Sequence, residues 1–473
     1  MSYEPPPNGF RTFLIAWVTQ SMSVFGSALT VFATNIWLAQ VLYARPEQKP
    51  ELAAALAAIN LAFALPIVFA APVAGAWADR HDRKRIMMAM DLANGCLSLI
   101  LASLLAAGAL QLWMLLLIVA LFAGLSAFHG SAFDTSYAML VPEKLLPRAN
   151  GMMQTMWSLS GIISPAVAAA IIALPALARQ GAIPPALGAA ALGGLNDGTS
   201  LAITIDAITF FGAAVTLLFL HIPSPKRTDL VVDAGADKGG RRKKSIWADV
   251  KEGALFIWHR RPLLWLLGTF TVANLMASPL AVFQPLLVKF NLVADWSARG
   301  FTFETAMALL GSVAGIGGVV GGLFISAWGG PKTRRVYGVV APLIIAGLAQ
   351  VVVGLSTMLY LTAATIFLID AMLPIMNSQS QAIWQTQTPR ELQGRVFAVR
   401  RLIAQFTWPI SAALAGWAGG AFNPGAVVAV LGAVLAIFCA AQLFNPHLLR
   451  VEDKEWLDGM AAARARRGSA EGA

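Results

Sequence analysis

The sequence predicts an all-α membrane protein of twelve transmembrane helices, arranged as two six-helix halves. Three observations predict it. Apolar residues make up 58% of the 473 and charged residues 12%, with a mean hydropathy of +0.68; that is too little charge to cover a water-facing surface and suits a bundle facing lipid. Apolar runs of about 20 residues, the length a helix needs to cross the hydrocarbon, recur between short charged loops. Landmarks of the first half also return in the second at a near-constant offset.

Runs bounded by charges or turn residues place the helices at 12–40, 52–77, 86–108, 111–137, 149–178, 200–222, 262–291, 303–329, 336–357, 359–386, 393–420 and 425–445. An even number puts both termini on one side, and the basic residues choose it. Of the 34 Lys and Arg, all but Arg45, Lys49, Arg179, Lys289 and Arg299 fall at the N-terminus, on alternate loops, on the connector or on the tail. Arg395, Arg400 and Arg401 are counted with those loops. That side is the cytoplasmic face of a cell (inner) membrane, with both termini inside.

Residues 1–222 form the first half, 223–261 a cytoplasmic connector, 262–445 the second half and 446–473 a cytoplasmic tail. The connector is polar and Gly-containing through Ser245, with the basic run Arg241, Arg242, Lys243 and Lys244. It ends in Ile246–His259, which mixes Trp247, Phe256 and Trp258 with Asp249, Lys251 and Glu252 as an interfacial helix does. The repeat shows in three pairs. Ala76-Trp77 closes the second helix before a basic loop, and Ala327-Trp328 closes the eighth. Pro142 precedes the fifth helix and Pro389 the eleventh, and Pro165 and Pro409 lie inside them. Folds with parallel repeats carry the substrate site near the midplane between the halves.

Several functions are argued against. Cys96 and Cys439 are the only cysteines and lie in apolar runs, so neither a disulfide framework nor a metal site is expected. A pI near 9.9 does not imply nucleic acid, because the basic residues are spread over loops facing anionic lipid. No small-residue cleavage site follows a short apolar core, so no removable signal peptide is expected. No Gly-Lys dipeptide occurs, hence no Walker-type phosphate loop; neither His-Glu-x-x-His nor Gly-x-Ser-x-Gly is present, and no large soluble ligand domain marks a receptor. A monomer without cofactor, not an enzyme, is expected.

The stretch Gly75, Trp77, Asp79, Arg80, Asp82, Arg83, Lys84 and Arg85, between the second and third helices, resembles the signature loop of the major facilitator superfamily. Asp82, where many members have Gly, is similar to the macrolide-efflux and enterobactin-exporter branch. Asp91-Leu92, Val141-Pro142-Glu143, Arg148 to Gly151, Trp328 to Lys332 and Pro389 to Phe397 carry the resemblance from the second helix to the eleventh. It implies a drug:proton antiporter and a gate built from Gly75, Asp79, Arg80, Arg83, Asp91, Gln393 and Arg395. In the family the carboxylate equivalent to Asp79 approaches the N-terminus of the eleventh helix, where the helix dipole favours an anion by about 0.3–1 kcal/mol when exposed and up to ~2 when partly buried. Asp91 is close enough to the inner interface to reach water and is taken as structural. The Gly-rich fifth-helix pattern of the family's antiporters is matched by Gly161, Ser164 and Pro165 with Ala168 and Ala169, where small residues permit close backbone approach.

An ionisable side chain at a helix centre costs at least about 2.5–3.5 kcal/mol, so each one is a functional candidate. Asp370 is the deepest, about 17 Å into the tenth helix at 1.5 Å per residue, and a hydrogen bond to Asn377 or a neighbouring helix is its structural alternative. Asp134 and His129 share the fourth helix, but five residues turn it by about 500°, which argues against a direct pair. Asp206 resembles the acid at the start of the family's sixth helix, near the outer surface, with a packing anchor reaching outer water as its alternative. Asp370, Asp134, Asp206 and His129 are thus the proton-coupling candidates. The first helix has no charge between Arg11 and Arg45, unlike multidrug antiporters with acids there. Gln20, Ser23, Asn35, Asn274, Gln284, Asn377 and Gln381 line an expected cavity that is apolar with scattered polar groups, suited to an amphipathic organic molecule. The sequence thus points to proton-coupled efflux of a small amphipathic substrate, macrolide-like or siderophore-like, by alternating access. Movement of lipid or lysolipid through the same fold is the alternative.

Overall fold

The computed structural model describes residues 6–78, 81–142, 145–184, 189–195, 197–222, 246–331, 333–389, 392–453 and 456. The described residues contain no strand. The membrane helices are α1 (Gly9–Trp37), α2 (Lys49–Ala78), α3 (Arg83–Ala106), α4 (Leu112–Leu140), α5 (Leu146–Arg179), α6 (Thr199–Phe219), α7 (Arg261–Ala277), α8 (Phe303–Trp328), α9 (Tyr337–Leu355), α10 (Leu359–Gln387), α11 (Gln393–Ala421) and α12 (Pro424–Gln442). Every expected span is a helix. Eleven spans among the described residues are long and apolar enough to cross a membrane, and α11 is not among them. It is 29 residues long, but Arg395, Arg400, Arg401, Gln405, Thr407 and Ser411 dilute its hydropathy, as they do in a helix turned toward polar partners. Arg400 and Arg401, counted with the cytoplasmic loop charges, lie two turns inside this helix.

Local chemistry sets the ends. Asp82 caps α3 by accepting from the Arg85 backbone N–H at 3.1 Å, and Asn423 caps α12 in the same way. α8 stops at Gly329, and Gly329 and Gly330 both have φ of 76°, a left-handed region that Gly enters at no steric cost. In the α7–α8 loop, Asp295 accepts from the Arg299 side chain at 2.9 Å and the Leu359 N–H at 2.8 Å. The Arg299 hydrogen bond, then the Leu359 one, holds the Asp295 carboxyl below its usual range.

The first six helices pack mainly among themselves, α3 on α6, α2 on α4 and α1 on α5 and α6; α9 packs on α12 and α8 on α10 in the second six. The Ile246–His259 helix lies on α11, with its Gly253 against the Arg395 backbone and Glu252 paired to Arg395 at 2.9 Å. The halves meet through α2 with α11 and α5 with α8. A Cβ at Gly416 would lie 2.4 Å from that of Ala57, and Gly420 abuts Pro50. On the other seam a Cβ at Gly311 would lie 3.0 Å from the Pro165 ring, Gly315 touches Ile162, and Ser312 donates to the Ile162 carbonyl at 2.7 Å. The close approach expected at Gly161 is thus provided mainly by glycines of α8.

These contacts run from the middle of the bundle to the end opposite the basic loops, called here the far end. A Cβ built at Gly75 or Gly151, near the basic end of α2 and α5, would meet nothing within 4 Å. The far end also shows the repeat. α1 finishes in a π-helical turn, Leu38–Leu42, and α7, broken at Ser278-Pro279 and resumed as Leu280–Leu286, finishes in another, Leu287–Asn291. Widening a helix to π spacing leaves carbonyls without their usual partners. Lys289, on the second π turn, donates to the Ala39 and Tyr43 carbonyls on and just after the first. Lys49 adds a bond to the Phe422 carbonyl at 2.8 Å.

A hydrogen bond from a charged donor is worth about 1.5–3 kcal/mol. With Cys96 and Cys439 replaced by Ser, a cysteine at Phe283, buried at the Gly419 seam, reports far-end opening. Lys289→Met should raise its thiol-labelling rate on the order of 30-fold, for about 2 kcal/mol lost. An unchanged rate would show that Lys289 does not hold the seam.

Candidate functional site

Three buried ionisable groups of the first half, Asp206, Asp91 and Arg83, are met by neighbouring polar groups. Asp206 is fully buried between α1, α3 and α6 and accepts from Thr30 at 2.8 Å, Ser98 at 2.9 Å and Ser27 at 3.3 Å. The approach depends on Gly26, where a Cβ would stand 2.9 Å from the Asp206 carboxylate. Asp206 therefore does not reach outer water, contrary to the alternative the sequence left open. Asp91 is equally buried and does not reach the inner interface as expected. It accepts from Gln20 at 3.2 Å and lies 3.3 Å from the His129 ring, so that α1, α3 and α4 share one polar contact. His129 thus turns toward Asp91 and away from Asp134, in keeping with the helical angle. Arg83 reaches the Ala78 and Thr135 carbonyls at 3.4 Å and the Met139 sulfur, tying the end of α2 to α4.

The second half differs. A cavity of about 130 Å³ lies between α7, α10 and α11, lined among others by Phe270, Asn274, Asn377, Trp384 and Arg400. Helical spacing explains the convergence on α10. Asp370, Asn377, Gln381 and Trp384 fall within about 60° of one another on a helix of 3.6 residues per turn. Arg400 Nη1 donates to Gln381 Oε1 at 2.7 Å, and Nη2 lies 3.5 Å from Ser380 Oγ. Its guanidinium stands 5.5 Å from the Trp384 ring centroid, a cation–π arrangement. Sequence reasoning missed Arg400 because a basic residue eight positions into a helix was read as loop charge. Its signal was the run of polar residues along the first turns of an otherwise apolar helix.

The other candidates are dispersed. Asp370 is half-buried on α10, flanked by Phe367 and Ala371, whose carbonyls press on Gly317 and Gly321 of α8. Among the described residues nothing hydrogen-bonds to it, Asn377 included. Asp134 is exposed on α4, facing Arg401 of α11 electrostatically across the halves. Ser23 is buried in α1. Asn35 and Gln284 lie toward the far end, outside the α7–α10–α11 cavity. Of the gate set, Asp79 and Arg80 lie outside the described residues, as does the side chain of Gln393. Arg395 is held by Glu252 of the connector helix.

A family model described as Major Facilitator Superfamily matches residues 16–412. Macrolide efflux protein A of Streptococcus pyogenes is 23% identical over 404 residues, covering 84% of this chain and 87% of that protein. Multidrug efflux pump Tap of Mycolicibacterium fortuitum is 26% identical over 408 residues, covering 83% and 88%. Among solved structures, a bacterial homolog of the human lysosomal transporter Spinster, in an inward-facing and unoccupied conformation, superposes with a TM-score of 0.61 at 17% identity, covering 97% of this chain and 96% of that one.

The contrast between the halves predicts different costs. Asp206→Ala strips three hydroxyls of their acceptor in a closed site and should destabilise the purified protein by about 1–3 kcal/mol, limited by the hydroxyls turning back to their own helix carbonyls. Asn377→Ala, exposed at the cavity mouth, should change stability by no more than about 0.5 kcal/mol. Thermal unfolding in detergent followed by tryptophan fluorescence measures both. Equal effects would contradict the distinction.

Proposed function

The chain belongs to the Major Facilitator Superfamily, and from that premise we propose that it is a secondary active transporter exporting an amphipathic small molecule by alternating access in exchange for protons. The observation that carries this reading is the asymmetry, among the described residues, of the contact between halves. They are joined at the far end, by Lys289, Lys49 and the glycine seam of α11, while the polar cavity lies near the basic ends of α10 and α11. With the basic loops cytoplasmic, this is the arrangement of a transporter open to the cell interior. The efflux activity named for both relatives agrees with export.

In this reading Asp79 and its loop gate the cytoplasmic mouth, meeting the start of α11 when the halves close there. Asp370 is the first choice of proton carrier, being half-buried in mid-helix without a hydrogen-bonded partner among the described residues; Asp134 and Asp206 follow. Asp206 is weakened as a carrier by its closed shell of hydroxyls, since a carrier must meet water on each side in turn.

The test is transport in proteoliposomes with an imposed pH gradient. Asp370→Asn should abolish uphill movement of substrate yet leave downhill exchange, because only the coupling step needs protonation. Retained pH-driven accumulation in that variant would remove Asp370 as the carrier, and its loss in Asp134→Asn or Asp206→Asn would name the replacement. Labelled lipid moving without a gradient would favour lipid transport. Orientation is tested separately: cysteines at Gly235 and Ser469 should react only from the cytoplasm.

A further inference from the structure

We infer that the cavity between α7, α10 and α11 is an anion site that takes the carboxylate, or a similar anionic head, of the exported amphiphile, with Arg400 as its positive pole. The inference deepens the export reading and rests on it for the identity of the occupant as cargo. It begins from an uncompensated charge. Arg400 lies half-buried within a membrane helix, and among the described residues no carboxylate stands within ion-pair distance of it. A cation in such a place is expensive and is ordinarily paired. Here the partners are two neutral oxygens, Gln381 Oε1 and Ser380 Oγ, and the Trp384 ring. A guanidinium carries five N–H donors in a planar fork, so this environment leaves donors unused beside a cavity.

A second observation is independent of the first. Trp384 is 0% exposed, lines the same cavity, and its indole Nε1–H has no acceptor. Indole nitrogen is a donor only, and a buried donor left unpaired costs about 1–3 kcal/mol. Asn274 and Asn377 add amide donors on the wall. The site thus offers a fixed positive charge and amide N–H groups, with the indole N–H reached as the wall opens to a ligand. A ligand that answers all of these presents acceptors and negative charge, which an ammonium head cannot do and a carboxylate does with two oxygens. The volume of about 130 Å³ holds a head group and not a whole amphiphile. The apolar body would extend outward past Asn377, which is exposed. This chemistry selects amphipathic acids over the lipophilic cations that an apolar cavity alone would accept.

The test uses one fluorophore with three heads: dansylglycine, its neutral amide dansylglycinamide, and the ammonium analogue dansylethylenediamine. Binding to the full chain in phosphatidylcholine nanodiscs is read at equilibrium by dansyl emission, with no gradient, so a failure of the export reading leaves this result intact. The wild type should bind dansylglycine about tenfold more tightly than the amide, with the ammonium probe weakest, as expected for a charge-assisted pair. Arg400→Gln should bring the acid-to-amide ratio to about one, and Arg400→Lys should keep part of the preference. Trp384→Phe, which retains the ring and removes the N–H, should lower the ratio severalfold and decides the matter should Arg400→Gln fail to fold. Nanodiscs containing phosphatidylglycerol separate the sources of the head. Weakened dansylglycine binding in the wild type alone identifies an anionic lipid as a competing occupant, and unchanged binding identifies a free solute; both support the anion site. A wild-type ratio near one, a preference for the ammonium probe, or a preference that survives Arg400→Gln would overturn it.

Discussion

A backbone carbonyl inside a membrane has no water to turn to, and the meeting of the halves at the far end is organised around that constraint. The π turn at Leu38–Leu42 disturbs the carbonyl pairing at the end of α1, and the ammonium of Lys289 meets the Ala39 and Tyr43 oxygens from the matching π turn of α7. One cation thus answers two acceptors of the opposite half, and it cannot do so unless the far ends are together. The close packing of Gly416 and Gly420 against α2 requires the same closure. Among the described residues both lie at one end of the bundle, and the polar cavity lies toward the other.

Within this frame the halves carry unlike polar chemistry. Asp206 and Asp91 each find donors on two other helices of the first half, so each fastens three helices together at little electrostatic cost. The second half holds Arg400, Asn274, Asn377 and the Trp384 indole around open volume, where unused donors are a liability to the empty protein and an asset to one that binds acceptors. A satisfied network fixes a fold; an unsatisfied one around a cavity marks a site.

The helices were legible in the sequence because spanning length and charge placement are one-dimensional properties, and the parallel repeat was legible in Ala76-Trp77 with Ala327-Trp328. The π turns were not, since nothing in the composition of Leu38–Leu42 or Leu287–Asn291 distinguishes them from ordinary helix; they declare themselves through a lysine 250 residues away from its acceptor. Asn274, Asn377 and Gln381 were identified as cavity residues and converge, because polar groups in apolar helices have few other uses. Gln20 was assigned to the same cavity, but it is occupied by Asp91, a partner 71 positions distant that only the packing of α1 on α3 and α4 brings near. Arg400 lay inside the expected span 393–420 but was counted with the charges of the adjoining loop. Loop and helix arginines look alike when the break between them is a single turn, as at Pro389 and Gln393.

The central claim is that the halves rock about a mid-bundle seam, so that one end closes as the other opens. Electron–electron spin distances in nanodiscs test it most directly, with one label pair across the basic end at Arg85 and Thr333 and another across the far end at Ala107 and Val293. The account predicts two populations in each pair, with the shorter basic-end distance gaining weight under every condition, substrate included, that gives weight to the longer far-end distance. Two distances that lengthen together, or a single unmoving distance at both ends, would contradict it.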